Sequence, residues 1–303
     1  MRIGLALPQY GVFASTQAII AAAMFAEEEG LDSLWVGDRL LVPTQPRVES
    51  PGGAMKGAER FLDPLTVLTV AAGVTERVRL GTNTLNAPLQ PPMLLARTLA
   101  SLDQVSAGRL DVGLGLGWSP DEYEAVGVPW RGRGARLEET LDILESAWTD
   151  EAIEHRGALW TVPRARIDLK PAQHPRPPIL LGGFVPATLE RVGRRADGWL
   201  AGPVPAPALA SMWNTVRRTA EKANRDPAAL RLVVRVNPKE QHGNADAAQV
   251  PRHGTVTQIA SYLADTAAVG ATEVVLDLQQ RAGGIEELLE LAAELNSVIR
   301  EHL

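Results

Sequence analysis

A chain of 303 residues can bury roughly three quarters of the surface its unfolded form exposes, so it needs neither disulfides nor a structural metal to hold a core. Its 36 acidic against 30 basic residues give a net charge of -6 with no basic stripe interleaved with aromatics, which argues against nucleic acid as a partner. The absence of cysteine removes disulfide, thiolate and cysteine-metal chemistry and is compatible with a reducing, cytoplasmic setting.

Ile3 to Leu7 reads as a first strand, an apolar run too short for a signal peptide and ended by Pro8. Thr16 to Glu29 repeats its apolar residues at helical period, with Gly30 just past its end, and Ser33 to Val36 is a second short strand. The segment Asp38 to Ala58 is rich in proline and glycine and too long for a simple connection. Asp63-Pro64 then pairs a capping side chain with proline at the first turn, opening a helix over Pro64 to Ala72. Val78 to Thr84, the helix Pro92 to Gln104 and Leu110 to Gly115 continue the alternation. Asp121, Glu122 and Glu124 read as a helix first turn ahead of a further helix over Arg136 to Trp148. His155 to Pro178, with Arg156-Gly157 and Pro163 as turn formers, reads as a hairpin outside the main alternation. Ile179 to Leu181, the helix Pro186 to Arg195, Gly198 to Ala201, the helix Pro207 to Asn224 and Leu232 to Val236 resume it. A second long polar segment, Pro238 to Arg252, holds His242, Gly243 and Asn244 and precedes the helix Val256 to Val269, which Gly270 stops. Glu273 to Asp277 and the helix Ile285 to Leu303 come last.

Eight strands alternating with helices predict an α/β fold of the (β/α)8 TIM-barrel type, one domain over residues 1 to 303 with loop insertions. An open doubly wound sheet is the alternative. Both long segments follow strands, which in a barrel puts them on the C-terminal face where sites are built, as lids or as disordered loops. No stretch reaches the roughly 18 consecutive apolar residues of a membrane-spanning helix, so a soluble protein is expected.

Gly113-Leu114-Gly115-Leu116-Gly117 has the spacing G-x-G-x-G and follows the fourth strand, so it is not a dinucleotide fingerprint. Two readings stand: a strand end that tolerates glycine, or a turn whose backbone approaches a ring or phosphate. Leu180-Leu181-Gly182-Gly183-Phe184 repeats the device ahead of a helix whose N-terminal amides favour an anion, with a plain turn as the alternative. Arg191, Arg194 and Arg195 on that helix read as solvated charges. His155, His174, His242, His253 and His302 are too scattered for a metal site, and no G-x-S-x-G elbow is present.

Four tracts share an order along the first 200 or so residues: Ser106-Ala107-Gly108-Arg109-Leu110 ahead of the triple glycine, Leu137-Glu138-Glu139-Thr140-Leu141 before Trp148, Pro177-Pro178-Ile179 before Gly182-Gly183, and Ala196-Asp197-Gly198-Trp199. Together they resemble the luciferase-like flavin and deazaflavin oxidoreductases. The resemblance implies a (β/α)8 barrel with the ring of coenzyme F420, or alternatively FMN, at its C-terminal mouth. It also implies a non-prolyl cis peptide at Asn83-Thr84 behind the ring, and a homodimer. Carried over residue by residue, it sets Asn83 and Thr84 against the ring, and Gly115, Leu116 and Gly117 with Gly182, Gly183 and Phe184 at its edge and phosphate. Asp38 would accept a cofactor hydrogen bond or cap its loop.

Two positions depart from better-known members. Arg39 stands where several relatives carry histidine, and a permanently cationic side chain cannot shuttle protons near neutral pH. Arg39 is therefore expected in a catalytic role of another kind, holding an anionic substrate or stabilising a developing negative charge, with a salt bridge to a neighbouring acid as the alternative. Trp118 stands where the more distantly similar deazaflavin-dependent glucose-6-phosphate dehydrogenases carry glutamate, so it packs on the ring or in the core instead. The function implied is hydride exchange between F420 and a small organic substrate. An FMN-dependent monooxygenase and a non-catalytic flavin-binding barrel are the alternatives.

Overall fold

The strands carry different residues on their two faces, and that difference builds a closed barrel. The computed structural model describes residues 1–49, 57–239 and 254–302. Its first half contains β1 (Arg2–Ala6), α1 (Thr16–Glu28), β2 (Ser33–Val36), α2 (Pro64–Val74), β3 (Arg79–Thr82), β4 (Leu85–Asn86), α3 (Pro92–Val105), β5 (Leu110–Gly115), α4 (Pro120–Ala125) and α5 (Arg133–Thr149). Its second half contains β6 (Ala152–Arg156), β7 (Thr161–Arg166), β8 (Ile179–Gly182), α6 (Pro186–Arg195), β9 (Gly198–Ala201), α7 (Ala206–Lys222), β10 (Arg231–Val236), α8 (Val256–Val269), β11 (Glu273–Leu276) and α9 (Ile285–His302).

The sheet runs β3-β2-β1-β11-β10-β9-β8-β5, with the short β4 on β5, and a further parallel pairing of β3 with β5 closes the ring. Leu80 lies opposite Leu110 and Gly81 opposite Asp111 at that closure, which excludes the open sheet. The expected (β/α)8 barrel is therefore the fold. Outward residues such as Leu5, Leu34, Leu114 and Val234 join the shell under the helices, while Ala6, Trp35, Leu180, Leu200, Val233 and Val275 form a separate cluster inside. Trp35 fills so much of the interior that neighbouring inward positions must lack a side chain. A Cβ at Gly4 would lie 2.9 Å from the indole, and one at Gly81 closer still.

Below Trp35 the N-terminal end of the barrel is plugged by charge. Asp111, fully buried, accepts from Arg79 at 2.7 Å and from Arg231 at 2.8 and 2.9 Å. Glu273, also fully buried, pairs with Arg231 at 3.0 Å and Arg2 at 2.8 Å and accepts from the Trp35 indole at 2.9 Å. Burial alone would raise the Asp111 carboxyl, but its hydrogen bonds and ion pairs to the two arginines overcome that and hold it below the usual range.

Where the structure departs from the sequence expectations, a local cause is visible. The run Val78 to Thr84 is broken after Thr82, and pairing resumes only at β4. The hairpin begins at Ala152, and Pro163 lies within β7 rather than in its turn; a two-stranded ribbon has only edges, so a missing N–H is tolerated there. Arg191 and Arg195 are not solvated charges: Arg191 is buried and meets Glu138 at 2.6 Å, while Arg195 meets Glu138 at 3.1 Å and Asp142 at 2.6 Å, tying α6 to α5. Residues 50–56 of the first long segment and 240–253 of the second, including His242, Gly243, Asn244 and His253, lie outside the described residues.

Candidate active site

The C-terminal strand ends bring together residues that the chain keeps far apart. The peptide between Asn83 and Thr84, at the end of β3, is cis. Thr84 then points its side chain into the notch left by two glycines: a Cβ on Gly182 would sit 2.7 Å from Thr84 Cγ2, and one on Gly115 would meet Thr84 Oγ1. The glycines at the ends of β5 and β8 thus seat Thr84 first, and what they offer a ligand is the surface that Thr84 completes. Beside it, the Asn83 side-chain nitrogen Nδ2 is buried and has no hydrogen-bond partner among the described residues.

Past β5, Gly117 turns at a φ of 66°, and the Leu116 carbonyl accepts from the Tyr123 hydroxyl, pinning the turn to α4. Past β8, Gly183 takes a φ of 136° directly ahead of α6, a conformation open mainly to glycine. Phe184 is half exposed, its ring edge-on to Trp199 at 6.2 Å. Both turns stand at the barrel mouth where the sequence placed them.

The segment after β2 forms an acidic and basic cluster on one side of the mouth. Asp38 accepts from the Asn86 amide at 2.7 Å. Burial pushes its pKa up to about 6 against the Asn86 hydrogen bond, and the charges of Glu122 and Asp63 add to the rise. Glu122, buried on α4, accepts from the Leu40 amide at 2.9 Å and so holds the segment in place, a residue the sequence reading left as a helix first turn. Arg39 forms no ion pair among the described residues. Its guanidinium lies over the Trp118 ring at 4.7 Å, and its Nε donates to the Leu41 carbonyl at 3.3 Å. Burial lowers the Arg39 pKa, Glu122 opposing, yet an arginine stays cationic at neutral pH. Trp118 is therefore a half-buried shelf for Arg39 and not a core residue.

The raised Asp38 pKa has a consequence for stability. Because the fold disfavours the ionised form, Asp38 weakens folding above about pH 6 and ceases to do so as the pH falls through that value toward its unfolded one. Asp38→Asn keeps an acceptor for the Asn86 amide without the charge. It is expected to raise the melting temperature at about pH 8, with a gain that shrinks steadily toward about pH 4. Thermal melts across that range check the sign, and a gain independent of pH would contradict it.

A second cluster at the mouth was not legible in the sequence motifs. Arg235 on β10 donates from Nε to Asp277 Oδ2 at 3.1 Å, and its Nη2 reaches the same oxygen. Asp277 Oδ1 accepts from Gln279 at 3.2 Å, and the Gln279 carbonyl accepts from the Gln9 amide at 2.7 Å. Above them Tyr10 and Phe61 stack at 5.3 Å, because the chain returning to α2 zips onto the end of β1: Leu62 donates to the Gln9 carbonyl at 3.1 Å and Gly11 to the Arg60 carbonyl at 2.9 Å. The available signal was alternation. Arg235 and Asp277 are charged residues that continue the inward period of β10 and β11, two and four positions beyond Val233 and Glu273.

A family model described as luciferase-like monooxygenase matches residues 2–293. The chain belongs to that family. An uncharacterised protein of Mycobacterium tuberculosis is 32% identical over 212 residues, covering 68% of this chain and 72% of its own length. A riboflavin lyase solved with modified FMN and riboflavin superposes with a TM-score of 0.80 at 15% identity, over 99% of this chain and 91% of its own. An F420-dependent secondary alcohol dehydrogenase in complex with an F420–acetone adduct superposes with a TM-score of 0.79 at 17% identity, over 99% of each chain. At these identities the likeness to the solved structures is one of fold. The luciferase-like barrel thus has structural neighbours that hold F420 and neighbours that hold FMN. Among the described residues no helix is long and apolar enough to cross a membrane, and no three histidine, aspartate or glutamate side chains gather as a metal would require.

Proposed function

We propose that this luciferase-like barrel exchanges a hydride between coenzyme F420 and a small organic substrate at its C-terminal mouth. The observation that carries the reading is the orphaned Asn83 Nδ2. A buried N–H without a partner costs about 1 to 3 kcal/mol, and a carbonyl of a flavin-type ring seated against Asn83 and Thr84 satisfies it. The residues present fit such a group: a side-chain-free surface completed by Thr84 between Gly115 and Gly182, an amide donor beside it, and two glycine turns for its periphery.

When bound, the deazaflavin supplies the hydride chemistry. The chain orients the ring and tunes charge around it. Asn83 donates to the ring. Asp38, ionised for the most part at neutral pH, accepts a ring N–H, with Asn86 and Glu122 fixing its loop. Gly115, Leu116 and Gly117 flank the ring edge, while Gly182, Gly183 and Phe184 lead into α6, whose N-terminus favours the phosphate. Arg39, cationic on its Trp118 shelf, stabilises negative charge that develops on a substrate oxygen. Asp38 and the glycine turns resemble the deazaflavin branch of the family more than the FMN-dependent monooxygenases, which supports F420 over FMN. The family resemblance also supports a homodimer.

Equilibrium titrations of the purified chain with F420 and with FMN, followed by cofactor fluorescence, test the reading. F420 is expected to bind about tenfold or more tightly than FMN, a difference of at least about 1.4 kcal/mol. Tight FMN binding with no F420 binding would overturn it, and F420 binding without turnover of any substrate would leave a ligand-binding barrel.

A further inference from the structure

We infer that Arg235 sets the substrate specificity of the mouth: its remaining guanidinium N–H groups take a single uncharged oxygen, a carbonyl or hydroxyl, of the substrate. This rests on the reading of the mouth as a hydride-exchange site, and it assigns a role to a pair of residues outside the cofactor surface.

Arg235 and Asp277 face a narrow slot that also touches Gln9, Tyr10, Phe61 and Asn83. Asn83 places the slot directly beside the proposed ring surface. Both Nε and Nη2 of Arg235 are spent on one oxygen of Asp277, leaving Nη1 without an acceptor among the described residues. The pair cannot swing to fill that need itself. Asp277 is held by Gln279, Gln279 by the backbone of Gln9 and Tyr10, and Gln9 by Gly37 and Leu62 at 2.8 and 2.9 Å.

Two properties of the slot select what enters. Its enclosed cavity volume is about 10 Å³, room for about one water-sized centre, so its deep end takes a single oxygen more readily than the three of a phosphoryl group. Its charge is balanced: Arg235 and Asp277 are the two charged residues among the described residues that line it. An anionic head would meet the Asp277 carboxylate, which is 1% exposed and cannot turn to water, whereas a neutral acceptor takes a charge-assisted hydrogen bond at no such cost. The stacked Tyr10 and Phe61 rings form the wall against which an apolar or aromatic body would lie.

The test compares para-fluoroacetophenone with para-fluorobenzoate, which share a ring and differ in head group, by fluorine NMR on the full chain with and without F420. The wild type is expected to bind the ketone about tenfold or more tightly than the carboxylate. The double variant Arg235→Met, Asp277→Asn keeps the slot neutral and is expected to lose about tenfold in ketone affinity, while Asp277→Asn alone shifts the preference toward the carboxylate. F420 affinity should stay within about twofold in both, with circular dichroism reporting that each is folded. Ketone binding that is absent in the wild type, or undiminished in the double variant, overturns the inference. So does a loss of F420 affinity in place of ketone affinity, because the slot would then serve the cofactor. If the wild type fails to bind F420 yet discriminates the two heads through Arg235, the slot stands and the hydride-exchange reading falls.

Discussion

Replacing Asp111 by alanine is expected to cost about 3 to 5 kcal/mol of folding stability, a large part of the total of an ordinary domain. The carboxylate is fully buried at the base of the barrel and is the shared acceptor of Arg79 and Arg231. Its removal takes the shared carboxylate from two guanidinium groups under Trp35, and Arg231 Nε is already a buried donor without a partner among the described residues. Glu273 holds Arg231 from the other side but leaves Arg79 with no carboxylate among the described residues. Urea unfolding followed by tryptophan fluorescence gives the number, and a loss below about 1 kcal/mol, the range of an exposed pair, would contradict the account. The pH dependence has a definite sign. The Asp111 pKa is held down in the fold, so its contribution is complete above the ordinary aspartate range and fades as the pH falls through the folded value. The variant should therefore lose its deficit in acid.

Asn83→Leu is expected to separate binding from stability. The apolar side chain of similar size removes a buried donor that has no partner among the described residues. Stability should hold or rise, since an unsatisfied buried N–H costs about 1 to 3 kcal/mol. F420 affinity should fall about five- to tenfold, the worth of the hydrogen bond that the ring carbonyl would make. Thermal melts of the ligand-free variant and fluorescence titration with F420 measure the two halves independently. A variant that is destabilised and binds F420 as the wild type does would show that Asn83 serves the fold and not the ring.

Much of the barrel was legible because its signals are local. Ser33–Val36, Leu110–Gly115, Gly198–Ala201, Pro186–Arg195 and Val256–Val269 lie where apolar period, proline and capping residues place them. The Asp63 cap accepts from the Thr66 amide at 2.8 Å, and Thr255 with Gln258 forms a reciprocal cap at the start of α8. The cis peptide at Asn83-Thr84 was implied by family resemblance alone and is present.

What escaped the sequence depends on distance along the chain. The glycine at 115 looked like a surface for a ligand, yet its missing side chain first makes room for Thr84, 31 residues earlier. Arg191 looked solvated because its partner Glu138 lies on another helix. The Arg235 and Asp277 pair sits 42 residues apart and becomes a site only when β10 and β11 lie side by side. No periodicity reveals that Asn83 Nδ2 lacks a partner among the described residues, since that is a property of everything around it.

The central claim is that Asn83 and Thr84, backed by Gly115 and Gly182, receive a planar deazaflavin. A crystal structure of the full chain with F420 tests it most directly. The account predicts a ring carbonyl within hydrogen-bonding distance of Asn83 Nδ2 and the ring lying on Thr84. A cofactor bound elsewhere on the barrel, or an Asn83 that turns away from the ring, would contradict it.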